Sequence, residues 1–219
     1  MDPLIHALYS LSYLFLFLLG IKLAVRYGLL SLKNVLLLVT FGLIYDNSVL
    51  AFGESIGKGP FLKNLNLLRY WLHALITPAL ILFSWSAASE TDIKWLSGRA
   101  AFVIATFLTA FMIIAELIQN TIGIVIDPAH QYGVLSYEPS AAQGPPIMII
   151  VVTIALLLAG LILWKKLKWK FMAIGVIIMG IGSALPIPIE SDAATNGFEL
   201  ILLSSVWTTK AFLDKRKNS

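Results

Sequence analysis

The chain has 219 residues, of which 58% are hydrophobic and 13% charged, and its mean hydropathy is +0.86. Soluble domains carry about 25% charged residues, so this composition excludes an ordinary water-soluble globule and points to a bilayer as the solvent for the apolar surface. The net charge of +4 does not indicate a nucleic-acid partner, because the basic residues flank apolar segments, as topology signals and anionic-lipid contacts do. There is no cysteine, which excludes disulfides, thiolate catalysis and Cys-ligated metal centres.

The length fits one domain, 1–219, with little room beyond its spans. Met1-Asp2-Pro3 lacks a basic leader, so the first apolar segment reads as a retained span. Spans are expected over 3–25, 29–51 and 61–84, the third after the turn residues Gly57-Lys58-Gly59-Pro60. The fourth is expected over 100–124 and the fifth over 145–164, with Pro145 and Pro146 in its first turn. The sixth runs over 169–185, stopped by Pro186 and Pro188, and the seventh over 195–212, with caps offered by Ser191–Thr195. Gly175, Gly180 and Gly182 read as sites of close helix packing.

Seven spans sort the basic residues by side. Lys22, Arg26, Lys33, Lys94, Arg99, Lys165, Lys166, Lys168, Lys170, Lys210, Lys215, Arg216 and Lys217 fall on one side; Lys58 and Lys63 fall on the other. The positive-inside rule then predicts an all-α integral membrane protein, a seven-transmembrane-helix bundle with its N-terminus outside and its C-terminus cytoplasmic, in a plasma membrane or an energy-transducing or internal membrane. The long outer connection Asp127–Gly144 has no Lys or Arg and contains Asp127, His130, Tyr132, Tyr137 and Glu138; it reads as a solvated loop long enough to serve as a lid. Glu190 and Asp192 add to this acidic outer rim.

Five charges fall inside the spans, all toward the outer side: Asp46, Arg69, His73, Glu116 and Glu199. Asn66, Arg69, His73 and Thr77 follow one another at steps of 3, 4 and 4, which places them on one helical face, with Pro78 set to kink the helix beyond it. Asn120 lies one turn from Glu116, and Asn196 shares a face with Glu199. An ionised group at the bilayer centre costs at least ~2.5–3.5 kcal/mol, so these side chains are expected to meet in one pocket. Asp46 is the expected partner of Arg69, because the short connection makes their helices neighbours. Tyr45, Tyr70 and Trp71 read as packing or interface aromatics.

This pattern predicts an intramembrane site that binds, or transforms by acid–base chemistry, an amphipathic lipid or isoprenoid. Glu116, Glu199 and His73 are the candidate catalytic groups; Asp46, Arg69, Asn120 and Asn196 would bind or orient. No metal or cofactor is called for: HxxxH and HExxH spacings are absent, and a mixed site from Asp46, His73, Glu116 and Glu199 is weakly signalled. Lys210 sits too near a span end to serve as a retinal Schiff-base lysine. The expected partners are membrane lipids and an amphipathic small molecule. Two other classes compete: a small-solute or proton-coupled transporter or channel, and a structural subunit whose buried charges only order helices.

Overall fold

The computed structural model describes residues 2–141, 144–184 and 192–217. Helix α1 spans Asp2–Tyr27 and packs along α2, Val35–Ile56. Gly28, at φ 120°, ends the first helix, and Ser31 caps a 3-10 turn over Leu32–Asn34 before α2. The second span therefore begins later than hydropathy suggests and runs on to Gly57, whose φ of 79° stops it.

Helices α3, Pro60–Ile76, and α4, Ala79–Ser89, lie in one line broken at Thr77-Pro78. Pro78 has no N–H, and the chain tightens there: Leu80 N donates to Thr77 O at 3.1 Å and Ile81 N to Pro78 O at 3.0 Å. Helix α5, Arg99–Glu116, runs directly into a π-helical turn over Leu117–Thr121. Helices α6, Ile147–Leu167, α7, Phe171–Ala184, and α8, Asp192–Lys217, complete the bundle. Pro145 and Pro146 stand just ahead of α6 rather than inside its first turn. Thr195 falls inside the first turn of α8; Pro186, Pro188, Ser191 and Glu190 lie outside the described residues.

Among the described residues, five helical segments are long and apolar enough to cross a membrane: α1, the α2 segment, α3 with α4, α5 with its π turn, and α6. Helix α7 is apolar but shorter, and α8 is long but more polar. The apolar side chains left exposed are those a bilayer would cover, among them Leu4, Leu11, Phe15, Phe107 and Ile118.

The main core joins Tyr13, Leu36, Phe83, Leu156, Met172 and Val206 across the bundle. Close approach of helices accounts for two of the three singled-out glycines. A side chain at Gly175 would strike Ser205, and one at Gly182 would strike Phe198, whereas Gly180 has open space.

The long connection after α5 is not an irregular loop. It forms an antiparallel hairpin, β1 (Ile126–Gln131) and β2 (Val134–Pro139), turned by Tyr132 and Gly133 at φ 51° and 83°. Two positive-φ residues between paired strands are what a tight hairpin turn requires. Ile126 and Tyr137 are buried with Val49 of α2 and Leu62 of α3, and the Tyr70 hydroxyl donates to Tyr137 O at 3.2 Å. The hairpin thus caps one end of the α2–α3 pair. Ser140 Oγ donates to Asp127 Oδ2 at 2.6 Å, and His130 meets Glu54 at 3.0 Å, so part of the acidic rim is tied down.

At the opposite end, four charged side chains close over one another. Lys33 Nζ lies 2.6 Å from both Glu90 and Asp214, and Lys210 Nζ lies 2.5 Å from Asp214. Lys33, Lys210 and Asp214 are buried, so two ammonium groups and two carboxylates clamp the start of α2, the end of α4 and the end of α8. Trp207 Nε1 donates to Thr40 Oγ1 at 2.9 Å just within this clamp.

Gly53 lets the hairpin lie against α2, because a Cβ there would overlap the Leu135 carbonyl oxygen, a backbone atom. Gly→Ala inside a helix ordinarily stabilises by ~0.5–1 kcal/mol, whereas forcing a methyl group into a packed contact costs ~1–3 kcal/mol. We expect Gly53→Ala to destabilise and to expose the hairpin to proteolysis. Gly42→Ala on the same helix, where the nearest atom is Ile76 Cδ1 at 3.7 Å, should be neutral or stabilising. Thermal unfolding with limited proteolysis distinguishes them; equal stability of the two variants would contradict the close contact.

Candidate functional site

Residues of α2, α3, the α5–π junction and the entry to α6 enclose a cavity of about 250 Å³ below the hairpin end. Asp46, Arg69, His73, Glu116 and Asn120 line it, together with Tyr70, Thr121, Gly144, Pro146 and Ile149. Three of the four charges expected from the sequence to meet Arg69 are therefore on one wall with it.

Arg69 is the fixed point of that wall. Its Nε donates to Asp46 Oδ1 at 2.7 Å, and its Nη1 donates to Asn66 Oδ1 at 2.8 Å. The expected Asp46–Arg69 pair is present, and Asn66, fully buried, joins it from one turn earlier on α3. Asn66 in turn donates to Leu62 O at 2.9 Å, which locks its amide. His73 continues the same helical face, with Nδ1 3.3 Å from Thr77 Oγ1, and its ring is accessible rather than enclosed. The steps of 3, 4 and 4 along α3 thus produce the polar stripe they imply.

Glu116 and Asn120 reach the cavity from the π turn. Widening the helix there brings Asn120 Nδ2 to 3.0 Å from Glu116 Oε1, while Thr121 Oγ1 contacts Glu116 O at 3.4 Å and Ile122 N donates to Leu117 O at 2.7 Å. Single π turns inside α-helices frequently mark functional positions. Asn120 Oδ1 is buried and has no hydrogen-bond partner in the protein. Asn34 Oδ1, at the start of α2, is in the same position. Gln119 Nε2 donates to Pro145 O at 3.2 Å, stitching the segment before α6 across the cavity.

Asn196 and Glu199 are not on this wall. Helix α8 packs chiefly on α7 and α1, so its polar face turns to another neighbourhood. There Asn47 Nδ2 donates to Asn196 Oδ1 at 3.1 Å, His6 Nδ1 lies 3.0 Å from Asn47 Oδ1, and the Tyr13 hydroxyl meets Asn196 O at 3.3 Å. Depth along a span is readable from sequence; position around the bundle is not, and this separates Glu199 from Glu116. Asp46 and Asn47, adjacent on α2, face the two sites respectively.

Tyr70 combines packing with a place on the cavity wall, beyond the packing role its sequence position suggests; Tyr45 donates to Leu65 O at 3.0 Å between α2 and α3, and Trp71 is half-exposed. The buried Lys33–Glu90–Asp214–Lys210 clamp is only faintly marked in the sequence. Lys210 and Asp214, four residues apart, were the available clue. Among the described residues, no group of three His, Asp or Glu side chains converges as metal ligands do, and the Asp46, His73, Glu116 and Glu199 set is accordingly not assembled. Comparison with protein-family models and with curated proteins yields no match to this sequence.

The ion pair is the part of the wall most exposed to a quantitative test. Removing one partner of a buried pair costs ~3–5 kcal/mol, because the other charge is stranded. Asp46 keeps 29% of its side chain accessible, so the lower end applies. We expect Asp46→Ala and Arg69→Ala each to cost about 3 kcal/mol and the double variant clearly less than their sum. Additive unfolding free energies would show that the two charges do not depend on one another.

Proposed function

We propose that this chain crosses the bilayer seven times, with α3 and α4 forming one span, its C-terminus cytoplasmic, and its cavity beneath the outer surface. In this reading it binds an amphipathic lipid or isoprenoid with the polar head in the cavity and the tail among the helices. Glu116 and His73 form the proton-transfer pair. Arg69, committed to Asp46 and Asn66, positions the wall. Glu199, off that wall, receives no catalytic role.

The observation that carries this reading is a polar cavity of about 250 Å³ lined by Asp46, Arg69, His73, Glu116 and Asn120 within an apolar bundle. A purely architectural network would close on itself, as the clamp at the other end does. The volume falls just below the ~300–1,000 Å³ of drug-sized sites, which suits a head group better than a whole lipid. Ile149 belongs both to the lining and to the exposed apolar surface, at 43% accessibility, so a tail can leave sideways beside α6. That geometry favours a lipid ligand over a solute crossing from face to face. Acid-assisted isomerisation, cyclisation or hydrolysis are the reactions that carboxyl and imidazole groups on such a wall would support.

Two measurements test the proposal. The natural absence of cysteine makes single introduced cysteines unambiguous. Lys58→Cys should react with an impermeant maleimide from outside and Lys215→Cys only after permeabilisation; labelling of both from one side would reject the orientation. Mass spectrometry of lipids co-purified with the full chain should find one lipid class enriched over the surrounding membrane and lost with Ile149→Trp, whose larger ring intrudes on the cavity mouth. An identical lipid profile for both proteins would reject the lipid-binding reading in favour of a transport or structural role.

A further inference from the structure

Two basic segments meet at the clamp end, and the packing there also withdraws the acids that would offset them. The turn between α6 and α7 supplies Lys165, Lys166, Lys168 and Lys170, all exposed. The end of α8 supplies Lys215, Arg216 and Lys217, also exposed. The Trp169 ring joins the two segments. It stacks on Phe212 of α8 with 4.2 Å between centroids and 6° between planes, and its Nε1 donates to Thr209 Oγ1 at 2.9 Å. Like charges are thus held side by side by an aromatic contact and a hydrogen bond. No Asp or Glu occurs over 147–184. The acids of this end are Glu90, Asp92 and Asp214; Glu90 and Asp214 are committed to Lys33 and Lys210 within the clamp, and Asp92 is exposed. Arg216 Nη1 reaches Glu90 O at 3.3 Å and stays at the surface. The outer face therefore carries a large cationic excess.

The backbone of the turn adds an independent sign. Lys168 ends α6 at φ 59° and ψ 18°, in the left-handed region that glycine adopts at little cost. Glycine holds the comparable positions after α1 and α2, at Gly28 and Gly57. A lysine at such a place gives up conformational ease and keeps a charge at the apex of the turn, as strained residues at binding sites do. Trp164 and Phe171, on either side of the turn, are 43% and 52% exposed. Exposed rings beside lysines suit head-group depth, where the rings meet the acyl boundary and the ammonium groups meet phosphates. A soluble polyanion would engage the cations and leave those rings in water.

We infer that the α6–α7 turn and the end of α8 together form a binding site for the phosphate head group of an anionic glycerophospholipid. This rests on the bilayer-spanning reading above and is independent of any ligand in the cavity. It also goes beyond a topology signal, which needs basic residues on one side of the membrane but not their convergence on one aromatic stack.

The test uses the purified full chain in dodecyl maltoside, with native mass spectrometry titrating phosphatidylglycerol and phosphatidylcholine of matched acyl chains. Thermal unfolding is followed in parallel. The variants are a triple substitution, Lys165→Gln with Lys166→Gln and Lys170→Gln; the single Lys168→Gly; and a control pair, Lys94→Gln with Arg99→Gln, which belongs to the same end but to neither stacked segment. We expect phosphatidylglycerol to bind in preference to phosphatidylcholine, at least tenfold more weakly in the triple variant, and within about twofold of the wild type in the control. Lys168→Gly should weaken phosphatidylglycerol roughly fivefold, the scale of one basic residue at an anionic surface, yet unfold at an equal or higher temperature without added lipid. Lysines that served only to cap α6 would leave the lipid preference unmoved. Equal binding of the two lipids by the wild type, or equal losses in the triple and control variants, would overturn the site, while the cysteine labelling above still reports separately on the spanning reading. Heparin bound in preference to phosphatidylglycerol would overturn the lipid assignment in favour of a soluble polyanion. If the triple variant fails to fold, Lys168→Gly alone decides.

Discussion

A guanidinium among apolar helices must be met by a carboxylate, and most of the site follows from that requirement. Arg69 stands on α3, and the carboxylate that reaches it, Asp46, stands on α2. Their 2.7 Å contact fixes the rotation of both helices, because every other residue on those faces is carried with them. Asn66 then falls under the guanidinium, Tyr45 reaches Leu65 O, and His73 is brought to the cavity one turn beyond Arg69. Desolvation makes the arrangement discrete: helix rotations that separate the pair strand two charges, so the bundle has no gradual way to relax it.

Hydropathy and spacing carried the apolar segments, the polar stripe of α3 and the Asp46–Arg69 pairing, since all three depend on local periodicity or on a short connection between neighbours. The hairpin was less legible. Its signal is the Tyr132–Gly133 turn and the alternation of Val134, Ser136 and Glu138 against Leu135 and Tyr137, weak beside the polarity of the connection as a whole. The π turn after Glu116 has no periodicity signature, because one extra residue per turn over five residues is too short a departure to detect. Glu199 does not line the cavity with Glu116, for a different reason. Its depth matched that of Glu116, but the azimuth of α8 depends on long-range packing against α1 and α7. Lys33 and Lys210 were read as flanking charges because a lysine at a span end normally reaches the interface; here Glu90 and Asp214 hold both inside.

The two ends of the bundle handle buried charge in opposite ways. At one end, two lysines and two carboxylates alternate at 2.5–2.6 Å, their charges cancel, and the bridged side chains of Lys33, Lys210 and Asp214 are almost inaccessible. At the other, carboxylates outnumber the guanidinium, space remains between helices, and one amide oxygen is unpaired. The clamp end also holds a buried amide oxygen without a hydrogen-bond partner, Asn34 Oδ1 next to Lys33, so the contrast between the ends lies in the open space and in the ion pairing.

That contrast also assigns mechanical roles. The clamp ties α8 to the start of α2 and the end of α4, and α2 passes from the clamp to Asp46, Asn47 and Gly53 in a single continuous helix. Any displacement of α2 at the cavity must therefore bend that helix or break buried ion pairs, each costly. Compliance at the cavity is concentrated elsewhere: in the α3–α4 break at Thr77-Pro78, adjoining His73, and in the π turn carrying Glu116 and Asn120. Both are places where the regular i→i+4 hydrogen-bond ladder is already interrupted, so small rotations there disturb fewer bonds than they would within an intact helix. Asp46 and Arg69 thus form the rigid side of the cavity, and His73, Glu116 and Asn120 the adjustable side. A head group entering beside Ile149 would meet the adjustable groups while the ion pair held the wall behind them in place.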